Sequence, residues 1–63
     1  MTPLDDPRPF AEVLRDWLAR RNLTAYAAAP AMGVTKETIM GWTRGRVCPH
    51  ERAFRALLTA LDA

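Results

Sequence analysis

The sequence predicts an all-α protein, a compact bundle of four short helices. Apolar residues recur at the helical spacing of three and four residues in two stretches, whereas the strict alternation typical of strands is absent. Threonines and glycines between these stretches are typical of helix ends. With 63 residues the chain is long enough for one domain. We expect residues 6–63 to form that domain and residues 1–5 to be a flexible tail.

The first and fourth helices are predicted from their apolar stripes. The first is expected over about residues 6–22, with Asp6 as its N-cap. Pro7 and Pro9 are tolerated in its first turn because amides there have no intrahelical partner. Its stripe consists of Phe10, Val13, Leu14, Trp17 and Leu18. The fourth helix is expected over about residues 50–61, and its stripe consists of Phe54, Leu57, Leu58 and Leu61.

The middle of the chain predicts two shorter helices joined by a tight turn. Thr24 is a suitable N-cap for a helix ending near Met32, and Thr35 for a helix ending near Arg44. Gly33 suits the left-handed conformation that ends a helix. Helices that cross closely at such a turn need small and apolar residues on their inner sides. The residues expected there are Ala28, Ala29, Met32, Val34, Ile39 and Trp42.

Charge is distributed unevenly along the chain, although the formal net charge is only +2. Residues 1–19 hold two arginines and four carboxylates, whereas residues 20–46 hold five basic residues and one glutamate. An anionic partner is therefore expected to bind the middle of the chain.

Several classes of protein are disfavoured by what the sequence lacks. The single cysteine, Cys48, cannot form an intramolecular disulfide. There is no secretory signal and no apolar stretch long enough to cross a bilayer, so we expect a cytoplasmic protein that does not bind membranes. No nucleophile–base pair, carboxylate pair with a cleft or phosphate-binding loop is recognisable. We therefore expect no enzyme, no metal, no cofactor and no small-molecule substrate.

A family resemblance lies in the order and spacing of the helix-turn-helix residues. These are Leu23-Thr24, Ala28-Ala29, Met32-Gly33-Val34-Thr35, Thr38-Ile39, Trp42, Gly45 and Pro49, followed by an apolar helix. Over about residues 10–62 the chain resembles the Cro/XRE-like family of helix-turn-helix repressors. The resemblance implies a lambda-repressor-like fold and a transcriptional regulator that is a repressor. It also implies a homodimer on a two-fold operator and favours an origin in a phage or mobile element.

The resemblance also implies which residues contact double-stranded DNA. The helix starting at Thr35 would lie in the major groove, with Lys36, Glu37, Thr38 and Gly41 facing the bases. Lys36 could donate to guanine O6 and N7, and Glu37 could accept from cytosine N4.

Phosphate contacts are expected at the ends of the two central helices. Thr24 lies with free amides at the start of the second helix, and Thr35 starts the third. Arg44 and Arg46 follow the third helix, where they suit flanking phosphates. Arg52 and Arg55, on the fourth helix, are expected to form either a solvated face or a further phosphate-binding surface.

Three positions depart from the family pattern. Ala25 stands where family members often have a glutamine that binds a phosphate, and Gly41 has no side chain with which to contact a base. Pro30 lies inside the second helix, where it removes a hydrogen bond, so we expect a kink near residues 26–30.

The alternative function is a protein-binding module, an inhibitor or anti-repressor, that uses the same fold without binding DNA. The low net charge, Glu37, Gly41 and the absent glutamine favour this alternative.

Overall fold

The computed structural model describes residues 1–63 and contains four helices and no strand, which confirms the predicted all-α bundle. The helices are α1 (Phe10–Arg20), α2 (Ala25–Met32), α3 (Lys36–Thr43) and α4 (Glu51–Leu61). Both α1 and α2 pack against α3 and against α4. None of the four helices has the length and apolar character needed to span a bilayer.

The core lies where the four helices meet. Trp42 of α3 is packed between two phenylalanines, with its ring centroid 5.8 Å from that of Phe10 and 4.7 Å from that of Phe54. The buried cluster consists of Phe10, Leu14, Trp17, Leu18, Ala28, Met32, Ile39, Trp42, Cys48 and Leu58. The expected inner residues of the two central helices are therefore inside, with Ala29 and Val34 half-buried at the edge of the core.

The predicted caps of α2 and the turn after it are confirmed. The Thr24 hydroxyl accepts a hydrogen bond from the Ala27 amide at 3.1 Å. Gly33 ends α2 in the left-handed conformation, with φ at 70°, and its amide donates to the Ala29 carbonyl at 2.9 Å. Pro30 is exposed and lies within a continuous α-helical run, so the amide it lacks does not interrupt α2.

The predicted start of α1 is wrong. The helix begins at Phe10, and the Asp6 side chain does not cap it. Because a residue that precedes proline is disfavoured in the helical region, Asp6 and Arg8 both resist helix formation before Pro9. The Asp6 carboxylate instead accepts hydrogen bonds from the Arg8 amide at 3.0 Å and from Arg8 Nη2 at 2.8 Å.

Residues 1–5, expected to be a flexible tail, lie against α4. Pro3 is buried, and the Leu4 amide donates to Thr59 Oγ1 at 3.0 Å. The Thr2 amide donates to Asp5 Oδ1 at 2.7 Å, which closes a short turn. The N-terminal segment is thus part of the packed structure.

Arg55 holds this segment and residues 6–8 against α4. Its Nη1 donates to the Pro3 carbonyl at 3.0 Å and to the Asp6 carbonyl at 2.8 Å. Its Nη2 donates to the Arg8 carbonyl at 2.6 Å, and its Nε to Glu51 Oε2 at 2.8 Å. Arg55 is only 8% exposed, so it belongs neither to a solvated face nor to a phosphate-binding surface. Only a planar guanidinium can donate to several acceptors in this arrangement.

Replacing Arg55 with methionine should lower the free energy of unfolding by about 2–4 kcal/mol, because three carbonyls lose a charged donor. Urea denaturation followed by tryptophan fluorescence measures the loss. The matched control is Arg52→Met on the same helix, where Arg52 is exposed and outside every ion pair. The control should change stability by less than about 0.5 kcal/mol. Equal effects of the two substitutions would contradict the role given to Arg55.

Two carboxylates should make the fold sensitive to acid. Hydrogen bonds from Arg8 lower the pKa of Asp6 to about 2. Hydrogen bonds from Arg21 lower the pKa of Asp62, and a further one from Trp17 Nε1 at 2.9 Å lowers it to a smaller extent. The same hydrogen bonds join the end of α4 to α1. A carboxyl with a depressed pKa in the folded state contributes stability above its unfolded pKa of about 3.9 and loses it below.

We therefore expect the melting temperature to fall as the pH is lowered from about 5 to about 2. Asp6→Asn should be less stable than the parent at pH 6 and should lose less on acidification. Thermal melts at a series of pH values measure both effects. Glu12→Gln is the control, since Glu12 is exposed and forms no ion pair, and its melts should follow those of the parent. An acid response unchanged by Asp6→Asn would contradict the assignment.

Candidate nucleic-acid interface

The outer face of α3 is the largest concentration of the predicted site residues. Ile39 and Trp42, 0% and 5% exposed, anchor the inner side of this helix in the core. Lys36 and Glu37 are exposed on the other side, and Thr38 is half-buried beside them. We define the outer face of α3 as the surface formed by Lys36, Glu37, Thr38, Met40 and Gly41. A two-turn helix held in this way presents its first turn to solvent.

Threonine side chains fix the starts of α2 and α3. Thr35 Oγ1 accepts a hydrogen bond from the Thr38 amide at 3.2 Å and lies 2.9 Å from Thr38 Oγ1. Thr24 caps α2 in the same way, and both capping threonines are exposed. An N-cap hydroxyl that accepts from the helix still carries a proton that it can donate outward. The Thr24 hydroxyl can therefore donate to an outside oxygen, and the Thr35 hydroxyl can do so when Thr38 is the donor in the contact between the two hydroxyls.

The loop after α3 brings Arg46 into contact with Gly41, at the end of the outer face of α3. Gly45 has a φ of 96°, a conformation that favours glycine, and the Arg46 amide then donates to the Gly41 carbonyl at 3.0 Å. The Arg46 side chain lies over Gly41, where a Cβ would be 3.4 Å from Arg46 Cδ and 3.5 Å from Nε. Gly41 and Arg46 are thus in contact. A shallow depression there is lined by Glu37, Gly41, Arg44, Gly45 and Arg46.

The basic residues of this region are free of ion pairs. Lys36, Arg44 and Arg46 are exposed, and no carboxylate oxygen lies within 4 Å of their charged nitrogens. Elsewhere, Arg8 is paired with Asp6 and Asp16, and Arg21 with Asp62. The unpaired cations of α3 and its loop can therefore bind an external anion without first breaking an ion pair.

Tyr26, which is 76% exposed on α2, is not among the site residues predicted from the sequence. Lys36 Nζ lies 5.9 Å from the centroid of the Tyr26 ring, so α2 contributes to the surface beside α3. A depression between the two helices is lined by Tyr26, Ala27, Ala29, Pro30, Val34, Lys36 and Glu37. A sequence feature could have identified it: Tyr26 is a large aromatic residue on an alanine-rich helix. It lies two positions from the buried Ala28 and therefore on another side of α2.

The remaining reactive groups form no second site. No group of three or more histidine, cysteine or acidic side chains is arranged to hold a metal ion. Cys48 is buried, and burial raises the pKa of its thiol.

No family model matches this chain, and neither a curated protein nor a solved structure matches it. The function of the outer face of α3 has to be inferred from its own residues.

Replacing Thr35 with alanine should destabilise the protein by about 1 kcal/mol, because the Thr38 amide loses its acceptor at the start of α3. Thr35→Asp should retain most of the stability, since aspartate also caps helices. Thr43→Ala, near the other end of α3, is the control and should have a smaller effect. Chemical denaturation followed by circular dichroism measures all three. A Thr35→Asp protein as unstable as Thr35→Ala would show that capping is not the role of Thr35.

Proposed function

We propose that this chain is a transcriptional repressor that binds double-stranded DNA sequence-specifically, with the segment from Thr35 to Arg44 in the major groove. The observation that carries the proposal is the placement of α3. Its inner residues are buried, while Lys36 and Glu37 are exposed in its first turn. The major groove admits one α-helix, and the N-terminal residues of a recognition helix meet the base edges.

Lys36 and Glu37 supply opposite kinds of base contact. The Lys36 ammonium donates to guanine O6 or N7, and the Glu37 carboxylate accepts from cytosine N4. Thr38 adds a methyl group that can pack against a thymine methyl. A carboxylate in a groove lined by phosphates is unfavourable unless it accepts a specific hydrogen bond. Glu37 therefore favours sequence-specific binding over a general attraction to DNA.

Phosphate contacts orient the helix in the groove. Thr24, Thr35 and the free amides after them can donate to phosphate oxygens at the starts of α2 and α3. Arg44 follows α3 at its other end and, being unpaired, can bind a flanking phosphate. The two ends of α3 would then be held on opposite sides of the groove.

A homodimer on a two-fold operator is the assembly that we propose. Half-sites on one face of DNA are separated by about 34 Å, or one helical turn. The Cα atoms of one copy extend over 26 × 24 × 18 Å, so the side chains of two adjacent copies could meet. Val47 is 82% exposed in the loop before α4, and contact through this loop or through α4 is the expected interface.

The second candidate function is a protein-binding module. The observation that favours it is the exposed Tyr26 beside the small apolar residues Ala27, Ala29 and Val34 in the depression between α2 and α3. Exposed tyrosines are enriched in protein interfaces. Salt dependence separates the two candidates, since phosphate contacts weaken steeply as salt rises.

Selection from a randomised duplex pool, followed by affinity measurements at several salt concentrations, tests the proposal. We expect an inverted repeat to be enriched. Lys36→Ala should weaken binding by about 1–3 kcal/mol and relax the preference at one base pair. Arg44→Ala should weaken binding to all duplexes and reduce the salt dependence by about one phosphate contact.

The control is Arg15→Ala, an exposed arginine on α1 outside every ion pair, which should leave both the enriched sequence and the affinity unchanged. Equal losses on the selected and on random duplexes for Lys36→Ala would remove its base-contacting role. Failure of the wild type to enrich any duplex, together with salt-insensitive capture of a protein, would favour the second candidate.

A further inference from the structure

The outer face of α3 has a gap where a third base-contacting side chain is expected. Glu37 and Gly41 are four residues apart, so they lie on the same side of the helix, one turn from each other. Gly41 has no side chain and therefore cannot contact a base in the way that Lys36 or Glu37 can. The surface above it is nevertheless occupied.

The Arg46 side chain fills this gap. Its Cβ, Cδ and Nε lie within 4 Å of the point where a Gly41 Cβ would be. The hydrogen bond from the Arg46 amide to the Gly41 carbonyl holds the loop against the helix. Gly45 permits the reversal that brings Arg46 back. The Arg46 side chain thus starts in the loop and lies on the same side of α3 as Glu37.

The guanidinium is also free to bind. Arg46 is exposed, and no carboxylate lies within 4 Å of it, although Glu37 lines the same depression. A guanidinium donates two parallel hydrogen bonds to O6 and N7 of guanine, the most frequent specific contact in the major groove. Phosphates flank the groove, whereas the Arg46 side chain lies over Gly41, on the same side of α3 as Glu37.

We infer that Arg46 determines specificity by contacting a guanine, and that Gly41 is the platform on which its side chain lies. The inference rests on the proposed function. It differs from the expectation from sequence, which placed Gly41 among the base-contacting residues and Arg46 on a flanking phosphate. The guanine should lie next to the base pair contacted by Glu37, on the side toward the C-terminal end of α3.

Selection from a randomised duplex pool with the wild type, Arg46→Gln and Arg44→Gln tests the inference. Both variants lose one positive charge, so a lost phosphate contact would weaken binding to every duplex without changing the selected sequence. We expect Arg46→Gln to lose the preference for one guanine by roughly 5- to 150-fold, the range of a bidentate base contact, because glutamine pairs with adenine instead. Arg44→Gln should bind more weakly but select the same sequence as the wild type.

Two further measurements separate a lost base contact from a disturbed surface. Replacing that guanine by 7-deazaguanine removes the N7 acceptor, which should weaken binding of the wild type but have little effect on binding of Arg46→Gln. Gly41→Leu should displace the Arg46 side chain and lose the same guanine preference, with circular dichroism showing that the protein remains folded. Should Gly41→Leu unfold, the comparison with 7-deazaguanine still decides, because Arg46 is exposed and its replacement leaves the core intact.

The outcomes distinguish this inference from the proposed function. A wild type that selects a sequence which Arg46→Gln selects with the same base preferences would overturn the role of Arg46 alone. A wild type that selects no sequence would overturn both. Loss of one guanine preference with Arg46→Gln, and none with Arg44→Gln, would support both.

Discussion

The structure depends on the burial of one face of a very short helix. An isolated helix of eight residues is not stable in water, so α3 exists because Ile39 and Trp42 are held in the core. Trp42 is central, since it is packed between aromatic rings from the first and last helices of the chain. The same contact that stabilises α3 also fixes which of its residues face outward, so packing and the candidate site cannot be varied independently.

A chain of this length buries little apolar surface, and polar contacts extend its core. Arg55 draws the carbonyls of the N-terminal segment onto α4, and Asp62 joins the end of α4 to Trp17 and Arg21. Both sets of contacts lie away from the outer face of α3. Asp6 and Asp16 are paired with Arg8, whereas Lys36, Arg44 and Arg46 form no ion pair.

The outer face of α3 is assembled from three parts of the chain. Lys36 and Glu37 come from the helix itself, Tyr26 from α2, and Arg46 from the loop beyond it. Gly41 has no side chain of its own, and the Arg46 side chain occupies the space above it. A surface built in this way offers donors, an acceptor and an aromatic ring within two turns of helix, which is the chemistry that base pairs and phosphates require.

The sequence alone predicts the four helices, the ends of α2 and α3 and the side of each that is buried. Caps such as Thr24, Thr35 and Gly33 form hydrogen bonds with groups only a few residues away, and the apolar stripes follow the helical repeat. Both features therefore depend on residues that are close in sequence. It also identified Lys36 and Glu37 as outward-facing, because their burial follows from the same repeat. The folded chain was needed to establish the role of Arg55, the start of α1, the place of Tyr26 and the contact of Arg46 with Gly41. These depend on where distant segments meet and on single loop dihedrals such as that of Gly45, which leave no periodic pattern in the sequence.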